Sequence, residues 1–270
     1  LITMPSNMLL RLTLVLIAFQ WNAWSGMAAE PGFIEERQPD QPMPSGCRLL
    51  QFTAQDVDGD SVEFSLVHFE ARQCMLRVID QPSRSAAEDL DEVMPRIEAL
   101  AGVNGGFFTP EFTPLGLTIS GGRRVGTWTR SSLLGGVVVV RGGRLLLLWR
   151  DEFQDSEAVT ELLQAGPRLV NNGQPVGGLD VRASRPRTFI ATDVAGRWLL
   201  GTTSHVSLAE LARLLASPGL VPGLEIVRAL NFDGGKSTGF WARLVDGSVV
   251  SSPEIATVRN FVALVPRKRG

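Results

Sequence analysis

From Cys47 to its C-terminus the chain repeats one pattern: a short apolar run, then a turn built on glycine. Runs of that length and spacing are strands, and a chain made of them has to fold as sheets. Residues 61–69 (SVEFSLVHF) alternate and residues 74–79 partly alternate, which predicts an early antiparallel pair. Arg141-Gly142-Gly143-Arg144 joins two apolar runs, 135–140 and 145–149, into a hairpin. Residues 187–193 and 197–202 form another around Ala195-Gly196, and residues 241–250 a third around Asp246-Gly247. A last strand is predicted over 260–265. Two helices interrupt the pattern. Over 86–101, Glu88, Asp89, Glu92 and Glu98 oppose Leu90, Val93, Ile97 and Leu100, despite Pro95. Ser207-Leu208-Ala209-Glu210 reads as a capping box opening a helix over 208–216. Many strands, two helices and no repeat predict one α+β domain over 47–270, with a mixed, largely antiparallel sheet and a few packing helices.

The N-terminus reads as a targeting segment. Arg11 precedes an apolar core, 12–19, and small residues follow at Ser25, Gly26, Ala28 and Ala29, so residues 1–29 are expected to be a secretory signal peptide. The core is shorter than the roughly 20 residues a membrane span needs, so none is expected in the mature chain. Residues 30–46, with prolines at 31, 39, 42 and 44, read as a linker. A secreted or periplasmic protein follows, and export would permit a disulfide between Cys47 and Cys74; two free thiols are the other reading. Net charge is −2, and the one basic run is Arg267-Lys268-Arg269, which argues against a nucleic-acid partner. Oligomeric state is not legible. The two histidines, His68 and His205, sit in strand-like and helix-start contexts. Chemistry here would rest on carboxylates, amides, hydroxyls and arginines.

One octapeptide concentrates such groups: Asn231-Phe232-Asp233-Gly234-Gly235-Lys236-Ser237-Thr238, at the end of the apolar run 225–230. Gly234 and Gly235 permit a turn whose N–H groups face an anion. Lys236, Ser237 and Thr238 add donors, and Asp233 a carboxylate. Lys236 is one of only two lysines in a chain with 26 lysines and arginines together. A nucleotide-binding P-loop is excluded: its first glycine would fall on Leu230, and a hairpin rather than a helix follows. Asp233, Asn231 and backbone carbonyls could hold Ca²⁺, although no dedicated loop is visible. Three further motifs stand at strand ends: Asn104-Gly105-Gly106-Phe107-Phe108, Gly166-Pro167-Arg168-Leu169-Val170 followed by Asn172-Gly173, and Arg185-Pro186-Arg187-Thr188. Arginine forks suit phosphate or carboxylate.

In this order, with Gly116-Leu117, Gly122, the Ser207 helix start and Arg259-Asn260, these motifs resemble the phosphodiester glycosidase family over residues 100–265. That domain occurs in the lysosomal uncovering enzyme and in exported bacterial proteins, some linked to exopolysaccharide. The resemblance implies hydrolysis of a sugar-1-phosphodiester at the anomeric carbon. A phosphate leaving group is already a stable anion, so cations and N–H donors can replace the strong acid of ordinary glycosidases. On this reading Asp233 is base or nucleophile. Arg187, Arg168, Lys236 and Ser237 hold phosphate, with Gly105, Gly234, Gly235 and Thr238 lining the substrate. Asn104 and Asn172 hold sugar hydroxyls or orient Asp233. Lys236 departs from the family, where a third glycine is common. A non-catalytic module binding an anionic glycan or sugar phosphate is the rival reading.

Overall fold

A computed structural model of the chain describes residues 34–267. Its strands form three sheets, one of nine strands and two of five, through antiparallel pairings. The centre of the large sheet runs Arg48–Gln55, Ser61–Glu70, Arg197–Val206, Arg185–Thr192, Arg228–Asn231 and Arg168–Asn171. The second sheet contains the hairpin of Gly136–Arg141 and Arg144–Trp149, beside Val159–Ala165. The third runs Val249–Ser252, Phe240–Arg243, Ala101–Asn104, Asn260–Pro266 and Cys74–Asp80.

All three sheets share one core. Ile190, Leu200, Leu230 and Phe232 of the large-sheet side pack with Val138 and Val140 of the second and with Val103, Phe240 and Val262 of the third. Each such side chain, fully buried, contributes about 1.5–3 kcal/mol. Gly136–Arg141 is apolar at successive positions because both of its faces are covered. Val138 and Val140 face the shared core, while Val137 and Val139 face a second cluster under Trp128 and Phe153. The outer face of the large sheet is closed by the helix Leu208–Ala216 through Leu211, Leu214 and Leu215. The helix Leu90–Arg96 closes the third sheet through Leu90, Val93 and Met94. Among the described residues no helix is long and apolar enough to cross a membrane.

The three expected hairpins form. The early pair does not. Ser61–Glu70 pairs within the large sheet, whereas Cys74–Asp80 pairs with Asn260–Pro266 in the third. The chain changes sheet across residues 71–73, so adjacency in sequence did not become adjacency in space. The helix expected over 86–101 is confined to Leu90–Arg96, with Asp89 and Glu92 in a reciprocal capping box and Pro95 in its last turn. Pro95 has no N–H to continue the ladder, and Glu98 turns back at φ 54°. At the second helix Ser207 accepts from the Glu210 N–H, but Glu210 spends its carboxylate on Arg213 and the Val57 N–H. The expected linker is a correction as well. From Ile34 on it belongs to the large sheet, Ile34–Arg37 and Gln41–Pro42 both pairing with Arg48–Gln55. The signal peptide and residues 30–33 lie outside the described residues. Cys47 and Cys74 are buried, their Sγ atoms 3.0 Å apart, between the large sheet and the third.

Candidate active site

The octapeptide carries the chain from the large sheet to the third. Arg228–Asn231 ends in one, Phe240–Arg243 begins in the other, and residues 232–239 cross the seam. Backbone bonds anchor the crossing: the Asn231 N–H donates to the Pro167 carbonyl, Phe232 to Thr188 and Asp233 to Gly105. Asn104, fully buried at the end of Ala101–Asn104, ties both ends together. Its Nδ2 donates to the Asp233 carbonyl at 2.8 Å, and its Oδ1 accepts from the Thr188 hydroxyl at 2.6 Å and the Gly239 N–H at 3.2 Å. The Asn104 amide is thus committed to holding the two ends of the crossing together.

Two glycines are required by close approach. A Cβ on Gly105 would lie 2.0 Å from Asn260 Oδ1, and one on Gly234 would lie 2.8 Å from the Pro186 carbonyl. Gly235 adopts φ +66°, opening a three-residue helical turn, Gly235–Ser237. Asn260 joins the site from the last strand, accepting from the Gly106 N–H at 2.8 Å. From the other side, the N–H groups of Ile255 and Ala256 both donate to the Lys236 carbonyl at 2.9 Å.

Asp233 is half-buried, and its Oδ1 accepts from the Gly234 N–H at 2.8 Å. Burial raises its pKa above the ordinary aspartate value, with the Ser237 hydroxyl and the Gly234 N–H opposing. Glu254 lies behind Gly239, whose Cβ would stand 2.8 Å from Glu254 Oε2. Burial, aided by Asp89 and Asp91, pushes its carboxyl up to about 7. Side chains of this neighbourhood also carry buried atoms without a hydrogen-bond partner: Asn231 Oδ1, Thr238 Oγ1, Glu254 Oε2 and Asn260 Nδ2. Such unspent polar capacity is uncommon in a folded chain. Lys236 is exposed, as is Arg185 across the turn.

The other expected residues separate. Arg187 is buried beneath Gly234, its Nε donating to the Val206 carbonyl at 3.0 Å and its Nη2 to the Ala183 carbonyl. Burial, then the charge of Arg185, lowers its pKa. Two of its N–H donors are thus committed to backbone carbonyls, and its stem lies against Gly234 from below. Arg168 pairs with Leu230, at the site end of the strand Arg228–Asn231, but its guanidinium is 5.4 Å over the Trp149 ring. Asn172 occupies a left-handed turn position, φ 51°, after the strand Arg168–Asn171. That strand pairs Asn171 with Arg228, the start of the strand whose far end leads to Asp233. Five residues of extended chain place Asn172 roughly 15 Å from the site. The sequence motifs carried the residue types but not the end of the strand. Asn260, Glu254 and Thr188 went unassigned because their approach is long-range, as the 154-residue separation of Gly106 and Asn260 shows. As for Ca²⁺, no three His, Cys, Asp or Glu side chains converge among the described residues. Asp233 is the single carboxylate of its turn; Asn231 Nδ2 is bonded to the Gly166 and Phe232 carbonyls, which leaves its buried Oδ1 without a partner.

A family model described as phosphodiester glycosidase matches residues 98–265, which takes in every residue of this seam. No curated protein matches the sequence. Among solved structures, the chain is similar to the catalytic domain of zebrafish N-acetylglucosamine-1-phosphodiester alpha-N-acetylglucosaminidase, auto-inhibited by its pro-peptide. The identity is 18%, the TM-score 0.61, and the match covers 87% of this chain and 88% of that one. It is also similar to a hypothetical protein from Synechocystis, at 16% identity and TM-score 0.59, over 85% of this chain and 64% of that one. These two likenesses carry the fold.

Proposed function

Starting from the fact that this chain belongs to the phosphodiester glycosidase family, we propose that it hydrolyses a sugar-1-phosphodiester at the anomeric carbon, with Asp233 as the reacting carboxylate. One observation carries the reading. A half-buried aspartate with a raised pKa stands at a glycine turn, and a fully committed amide, Asn104, fixes that turn. The turn presents donors and cations around the Asp233 carboxylate, with Glu254 behind Gly239, a composition that suits a phosphate leaving group.

In the proposed reaction, a water oxygen bonds to the anomeric carbon as the bond from that carbon to the phosphate-bearing oxygen breaks. The bonding electrons leave with the phosphate. Asp233 takes the proton from water, and the products are a free sugar and a phosphomonoester. The Gly235 turn, Ser237 and Lys236 face the departing anion. Because catalysis needs the ionised carboxylate, activity falls as pH drops through the Asp233 pKa, and the acid limb sits above the ordinary aspartate range. Export, and a role in cell-envelope or exopolysaccharide metabolism, are part of this proposal and rest on the N-terminal sequence and the family resemblance.

Lys236 in place of a family glycine favours a second reading, retention of an anionic glycan without turnover. Incubation with a panel of sugar-1-phosphodiesters, assayed for reducing sugar and phosphomonoester together, separates the two. Equimolar release of both supports hydrolysis; binding with neither product supports retention.

A further inference from the structure

Two cations flank the turn without partners of their own. Gly235 carries no side chain, and a Cβ there would stand 3.8 Å from Arg185 Cδ, so the Arg185 stem runs along the open side of the turn. Gly234 is pressed onto the Pro186 carbonyl, so no side chain intervenes between residues 185–187 and the turn. The strand pairing is irregular between the two arginines. Arg185 pairs with Val206 and Arg187 with Thr203, an extra residue on the facing strand. Bulges of this kind re-aim side chains and are common beside active sites. Here Arg187 goes down into carbonyls and Arg185 stays exposed.

Neither Arg185 nor Lys236 makes a side-chain hydrogen bond or ion pair among the described residues. Arg48, Arg96 and Arg124 on the surface are ion-paired, whereas exposed Arg130, Arg144 and Arg182 share the unpaired state among the described residues; what sets Arg185 and Lys236 apart is their place beside the glycine turn and Asp233. The nearby carboxylate, Asp233, accepts from the Gly234 N–H.

We propose that Arg185 and Lys236 are the specificity-determining cations of this site, gripping the phosphate of the substrate from both sides of the Gly234–Gly235 turn. Arg185 takes the role the sequence suggested for Arg187. The inference rests on the sugar-phosphate reading of the site and adds to it which side chains read the charge.

The test compares Arg185→Gln, Lys236→Gln and the double variant with wild type, at low and high salt. One arm measures hydrolysis of methyl glycosyl 1-phosphodiesters. The other measures equilibrium binding of hexose-1-phosphates and of the parent hexoses. Each single variant should weaken phosphate-ligand binding about fivefold, the scale of one exposed ion pair, while hexose binding stays constant. The double variant should lose most of the salt dependence. Arg185→Lys should retain part of the grip, since charge remains and the fork is lost. Equal losses for hexose and hexose phosphate, or none, overturn the inference. If wild type cleaves the diesters and the double variant cleaves them equally well, the inference fails and the hydrolase reading stands. If wild type cleaves none yet prefers hexose phosphates through these two residues, the hydrolase reading fails and the inference stands. Absence of both cleavage and preference overturns both.

Discussion

At the start of the strand Arg228–Asn231, Arg228 lies 5.0 Å over the Trp149 ring and is held by Glu152 at 2.6 and 2.8 Å. Arg168 lies over the same indole, and the Trp149 Nε1 donates to Asn171 at 2.7 Å. At the other end, beyond Asn231, Asp233 is half-buried with a raised pKa, while Arg185 and Lys236 stand exposed without partners. Both ends contain arginines, an asparagine and a carboxylate. At the first, Arg228 and Glu152 are paired with each other and Arg168 rests on the indole, and Arg228 together with other charges holds Glu152 below its ordinary pKa. At the second, the protein leaves charges to be matched by something else. Perturbed, unmatched groups mark functional sites more often than satisfied clusters do. Residue type did not separate the two ends; partnership did.

The contrast can be broken most severely at Asn104. Asn104→Ala should strand the Thr188 hydroxyl, the Gly239 N–H and the Asp233 carbonyl, each buried group costing about 1–3 kcal/mol if left unpaired. Displacement of Asp233 should lower kcat/KM about 100-fold. Urea unfolding and steady-state kinetics read both effects, and unchanged kcat would detach Asn104 from the site.

Next in size is the thiol pair. Oxidation of Cys47 and Cys74 to a disulfide should stabilise the fold by about 3 kcal/mol, since the bond would close a loop across two sheets. Mass spectrometry and the Tm of wild type with and without oxidant check it, with Cys47→Ala/Cys74→Ala as the insensitive control. Because the pair sits in the sheet interface, kcat should not change.

Glu254→Gln should act through pH. The folded pKa of Glu254, about 7, lies above its unfolded value. The stability this gives is fully present below the unfolded pKa and is lost as pH rises towards and through 7. Wild type should therefore lose on the order of 1–2 kcal/mol between pH 4.5 and 8 that the glutamine variant keeps, allowing for solvent screening. Parallel denaturation curves across pH would contradict this.

The smallest effect is expected at the satisfied end. Arg168→Ala should cost about 0.5–1 kcal/mol of stability, a cation–π contact, and leave kcat/KM and its salt dependence unchanged. A selective loss of phosphodiester binding would restore Arg168 to the site and blur the contrast.

Much of the local structure was legible because it is local. Glycine turns with flanking apolar runs marked the three hairpins, and Asp233-Gly234-Gly235-Lys236 announced its own turn. The sheets were not legible, because residues 71–73 look like a tight connection yet carry the chain from one sheet to another. Residue type and motif alone mark Arg187 and Asn172 as site residues. Whether a guanidinium points to carbonyls or to solvent, and which end of a strand an asparagine occupies, depend on pairing. Asn260 and Glu254 reach the site from the last part of the chain, through packing that no local pattern records.

The central claim is that the unmatched end of this strand is where the chemistry occurs, on Asp233. Asp233→Asn keeps the shape of the turn and removes the carboxylate. Assayed on glycosyl phosphodiesters beside wild type, it should lose about 10²–10⁴ in kcat. Its Tm should be unchanged, and it should still bind hexose-1-phosphate. Hydrolysis retained at the wild-type rate would contradict the account.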